Sequence, residues 1–64
     1  MKIDKKKVEY AMARQELNNM QLSQKAGIPI GTLQNALRRR NCLPATVGKI
    51  AKALNVDVTE LLED

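Results

Sequence analysis

The side chains with the most chemical content gather between Asn18 and Arg40, in the stretch NNMQLSQKAGIPIGTLQNALRRR. At 100° per residue, Gly31, Asn35 and Arg38 fall opposite the apolar stripe Leu33, Ala36 and Leu37, with Thr32, Gln34 and Arg39 flanking them. Amides pair bidentately with the major-groove edge of adenine, Arg with that of guanine, and an apolar side chain meets a thymine methyl. Gln34, Asn35, Arg38 and Ile30 supply those groups, and Gly31 would let the backbone approach a base or sugar closely. Asn18 and Asn19 open a helix whose free N–H groups and dipole suit a phosphate. Arg38, Arg39 and Arg40 add attraction to a polyanion that weakens steeply with salt. Each feature has a plainer rival. The arginines complement the negative end of their own helix, Asn18 serves as a cap alone, Gln34 and Asn35 are idle solvated amides, and Ile30 is tucked into the core.

Helices must position these groups. Apolar residues at Val8, Ala11 and Met12 have the i, i+3, i+4 spacing of an amphipathic helix, expected over about 4–16. Asn18 with Gln21 three residues on has capping-box spacing and starts a second helix over about 19–26, with Met20, Leu22 and Ala26. Gly27 stops it, since glycine takes a left-handed backbone without steric cost. Pro29 suits the entry to a third helix over about 30–39. After a loop from Asn41, Pro44 leads into a fourth helix running to about Leu54, with Val47, Ile50, Ala51 and Leu54 as its stripe. Gly48 within it costs about 1 kcal/mol against Ala, which suggests close helix packing there. Asp57 and Glu60 repeat the capping-box spacing, and Val56 and Leu61 suit a hydrophobic staple. A fifth helix over about 58–63 is expected to bury Val58, Leu61 and Leu62. No useful period-2 alternation occurs, so no strands are expected. Lys5, Lys6 and Lys7 read first as a solvated face and second as phosphate contacts.

Composition bounds the function. Sixty-four residues make one small domain, which buries only roughly 60% of the surface of its unfolded chain. With Tyr10 the sole aromatic residue, the core must be Leu, Ile, Val, Met and Ala, which suits packed helices. A single cysteine, Cys42, and no histidine exclude an internal disulfide and make a zinc site a poor fit, so no metal or cofactor is expected. No paired carboxylates or phosphate-cradling glycine loop point to an enzyme, and no small-molecule substrate is expected. No apolar run nears the ~20 residues of a bilayer crossing, and no signal-peptide pattern appears. A cytoplasmic protein is expected. The net charge of +4 hides a gradient: residues 1–52 hold all 11 basic side chains against three acidic ones, a balance of +8, and residues 53–64 carry −4. A basic body suits a polyanion.

The segment LNNMQLSQKAGIPIGTLQNAL resembles the helix-turn-helix of phage Cro/C1-type repressors, the Xre-like family, and PATVGKIAKALNVDVTELL is similar to that family's last two helices. The resemblance covers about residues 8–62. It implies an all-α, five-helix, lambda repressor-like DNA-binding domain that occupies operator DNA, usually as a homodimer, and regulates transcription. It implies DNA contacts at Asn18, Asn19, Ile30, Gly31, Thr32, Gln34 and Asn35, and backbone contacts at Arg38, Arg39, Arg40 and Asn41. It implies dimer contacts near Val56, Val58, Thr59 and Glu60. Three positions depart from the family pattern. Met12 and Leu37 stand where many members hold a buried Arg–Glu pair. Pro29, Ile30 and Gly31 replace a more polar start to the reading helix. The arginine run replaces a loop that usually contains glycine.

Two functions are thus carried forward. One is a sequence-specific double-stranded DNA-binding regulator, a repressor from a phage or mobile element. The other is a protein-interaction module, adaptor or antitoxin-like, built on the same bundle.

Overall fold

The computed structural model describes residues 1–64 and contains four α-helices and no strands. Asp4 caps α1 (Lys5–Gln15) by accepting from the backbone of Lys6 and Lys7. The chain leaves α1 through Glu16 in the left-handed region, φ 55°. The capping box expected for α2 (Asn19–Ala26) forms in both directions. Asn18 Oδ1 accepts from Gln21 N at 2.8 Å and Gln21 Oε1 accepts from Asn18 N at 2.9 Å. Gly27 ends α2 at φ 71°, as its freedom from a Cβ allows. Ile28 and Pro29 complete the turn into α3 (Ile30–Arg39), and α4 (Pro44–Leu54) starts on a proline in its first turn.

The apolar stripes meet in one core. It holds Val8, Ala11 and Met12 from α1, Leu22 from α2, Leu33, Ala36 and Leu37 from α3, and Val47, Ile50, Ala51, Ala53 and Leu54 from α4. α2 packs on both α3 and α4. Met12 and Leu37 are both buried in this core, and no charged side chain is desolvated there. Ser23 is the one buried polar residue, and its hydroxyl donates to the Met20 carbonyl at 2.7 Å. Met20 itself is half exposed.

Two expectations are corrected. The fifth helix is a single 3-10 turn, Val58–Leu61, not an α-helix over 58–63. Its capping box does form, with Asp57 accepting from Thr59 N and Glu60 accepting from Asp57 N. It stops early because Leu61 and the residues after it make tertiary pairs: Asp4 N donates to Leu61 O at 2.8 Å and Glu63 N to Lys2 O at 3.1 Å. Leu61 is buried, whereas Val58 and Leu62 only lean on the core. Close packing at Gly48 is also overturned, since a Cβ there would meet nothing within 4 Å.

The start of the chain adds pairings that no sequence pattern marked. Ile3 is fully buried in the core. Isolated antiparallel bridges join Lys2 to Asn41 and Ile3 to Leu62. Ile3 N donates to Arg40 O at 3.2 Å and Cys42 N to Met1 O at 2.9 Å. Residues 1–4 thus stitch the loop after α3 to the last residues of the chain.

Candidate nucleic-acid interface

The candidate site is the outer side of α3 and the loop that follows it. Leu33, Ala36 and Leu37 pin the inner side, and Gly31, Thr32, Gln34, Asn35, Arg38 and Arg39 are left exposed. A Cβ on Gly31 would meet nothing, so the backbone there is open to a close approach. No side chain caps the start of α3, so the N–H groups of its first turn have no side-chain acceptor. Arg38 Nη2 donates to Asn35 Oδ1 at 2.8 Å, one helical turn away. A shallow groove beside this face is lined by Thr32, Asn35, Arg39, Asn41, Cys42 and Thr46, together with Ala36 and Leu43.

The three arginines divide. Arg38 and Arg39 stay on the exposed end of α3, at the negative end of its dipole. Arg40 leaves the helix with φ 54°. It lines a separate depression with Asp4, Glu9, Glu63 and Asp64. The run was expected to act as one cationic cluster, and the backbone turn at Arg40 separates its last member into mixed-charge surroundings. Ile30 is also split between two environments: it is half-buried and packs against the core, so only part of its side chain faces outward.

Of the remaining candidates, Asn18 and Asn41 have structural duties. Asn18 is exposed with its oxygen engaged in the cap, which leaves its amide nitrogen free beside the start of α2. Asn19 is exposed without a side-chain bond. Asn41 Oδ1 accepts from Cys42 N at 3.0 Å and holds the loop. In the 55–60 region, Val56 and Val58 are half-buried and Thr59 and Glu60 exposed, a small apolar face. Sequence reasoning missed Thr46 and Leu43. Leu43 precedes Pro44 and is 75% exposed. The hydroxyl of Thr46, in the first turn of α4, was the available signal for this wall of the groove.

Electrostatics follow the sequence. From Leu17 to Val56 there is no carboxylate, against six cationic side chains. The only ion pair in the chain joins Lys7 to Asp64 at 3.1 Å and involves no residue of α3. Burial pushes the Cys42 thiol up, opposed by the terminal ammonium and a hydrogen bond with Thr46. A neutral thiol at this groove adds no negative charge.

No protein-family model matches the chain, and no curated protein matches it. Among solved structures, it is similar to a hydroxyethylphosphonate dioxygenase mutant, with 30% sequence identity and a TM-score of 0.85. The match covers all of this chain and 14% of that one. No helix here is long and apolar enough to cross a membrane.

Proposed function

We propose that the protein binds double-stranded DNA through α2, the Gly27–Pro29 turn and α3, used as a helix-turn-helix, and acts as a cytoplasmic transcriptional regulator, a repressor of phage or mobile-element type. The observation that carries this reading is the exposed side of α3. It combines Gln34, Asn35, Arg38 and Arg39 with a 40-residue stretch, 17–56, that has no carboxylate. α3 is about the width that a major groove admits. Arg38 and Arg39 have no acidic partner, so their charge is available to phosphates. The free amide of Asn18 and the start of α2 offer a second phosphate contact. A homodimer through Val56, Val58, Thr59 and Glu60 would set two α3 helices about one DNA turn apart.

The test is a titration of labelled duplexes, the regulator's own promoter among them, across a salt series. Log affinity is expected to fall linearly with log salt, and Arg39→Ala to reduce the slope by about 1. Amide spectra that stay unmoved on adding duplex would overturn the reading. Weak affinity identical for every sequence would reduce it to non-specific DNA binding.

A second reading makes the chain an interaction module, adaptor or antitoxin-like, built on the same bundle; the small apolar face at Val56 and Val58 favours it. On that reading Asn35→Ala, Arg38→Ala and Arg39→Ala leave function intact.

A further inference from the structure

We propose that Arg38 and Asn35 work as a single hydrogen-bond donor array that selects guanine over adenine at the base that α3 reads; this deepens the DNA-binding reading and rests on it. An unencumbered Asn reads adenine with both ends of its amide, Nδ2 donating to N7 and Oδ1 accepting from the N6 amino group. Here Oδ1 of Asn35 already accepts from the Arg38 guanidinium at 2.8 Å. A base amino group brought to the remaining lone pair would meet a cation at hydrogen-bond distance, and its hydrogens carry the same sign of charge.

The groups left facing outward are donors: the Nδ2 hydrogens of Asn35 and the unused N–H groups of Arg38. Both side chains are exposed, and no carboxylate between residues 17 and 56 competes for Arg38. Guanine presents two acceptors, N7 and O6, to such an array. Thymine presents one, and cytosine presents an amino donor. The Asn35–Arg38 bond also restrains the long Arg38 side chain before binding, which lowers the ordering cost at the interface. Ile30, partly withdrawn into the core, offers a thymine methyl less than a fully exposed residue would.

Duplexes selected from a randomised pool by the wild-type protein and by Arg38→Ala provide the test, with circular dichroism to establish that the variant folds. Wild type is expected to enrich guanine at one position. Arg38→Ala releases the Asn35 oxygen and is expected to move that position toward adenine by about tenfold, leaving the others in place. In the selected duplex, 7-deazaguanine at that position should weaken wild-type binding about tenfold, because N7 is gone. Hypoxanthine there keeps N7 and O6 and should leave binding unchanged. Adenine enrichment by wild type, or a uniform loss of affinity in Arg38→Ala without a change of base, would overturn the proposal while leaving DNA binding standing. Retention of no duplex at all would overturn both.

Discussion

Asp57 accepts from both the hydroxyl and the backbone N–H of Thr59, at 2.7 and 2.9 Å. Those bonds favour the carboxylate and hold its pKa below the usual aspartate value, the hydroxyl contributing most. The folded pKa is depressed, so the cap's contribution to stability is present above the ordinary aspartate range and is lost as pH falls through the folded value. Thermal melts of wild type and Asp57→Asn across acidic pH should therefore converge at low pH and separate as pH rises. A constant difference would assign the cap's effect to something other than ionisation. Cys42 runs the other way: burial raises its pKa and keeps the thiol of this half-buried loop residue protonated near neutrality. Single residues were legible where their chemistry is local. Asn18, Gly27 and Asp57 act within three or four positions of themselves, and each cap forms. The Arg38–Asn35 bond has the i, i+3 spacing that a helix brings together, yet its choice over two free side chains is not a matter of sequence pattern.

At the scale of elements, the apolar stripes marked α1 to α4 to within a residue or so, because each buries one face against a common core. Exits were less legible. Three non-glycine residues sit in the left-handed region, Glu16, Arg40 and Asn55. Only Asn55 belongs to a type that tolerates it readily. Glu16 is exposed, so Glu16→Gly is expected to relieve left-handed strain of ~1–2 kcal/mol and to give back part of it through the greater entropy of the unfolded glycine. Chemical denaturation should show a net gain of roughly 0.5–1 kcal/mol with an unchanged m-value. A loss would mean that the Glu16 side chain makes a contribution outweighing its backbone. Gly48 misled for a related reason: a glycine in a helix suggests a neighbour pressed against it, and here none is present. The 3-10 turn at Val58–Leu61 was overextended because its end is fixed by partners more than 50 residues away, Lys2 and Asp4.

Across the whole molecule, the least legible feature is the pairing of residues 1–4 with two distant loops. A segment of four residues is too short to carry periodicity, and backbone bonds are blind to side-chain identity. Ile3 alone gave a hint, as the only apolar residue between Met1 and Val8. It is 1% exposed, so Ile3→Ala should cost about 2–5 kcal/mol, comparable with the few kcal/mol that a core of this size supplies. Circular dichroism at rising temperature would reveal a large drop in Tm; an unchanged Tm would mean that the opening residues are dispensable to the core. The same pairing has a regulatory consequence. Ile3 holds the carbonyl of Arg40 and Met1 holds the amide of Cys42, so the far edge of the proposed reading surface is fastened by a tether outside it. Loss of Met1 alone, which removes its bond to Cys42 and leaves Ile3 in the core, would loosen that loop and retune grip on a nucleic acid from a distance while every contact residue stays intact.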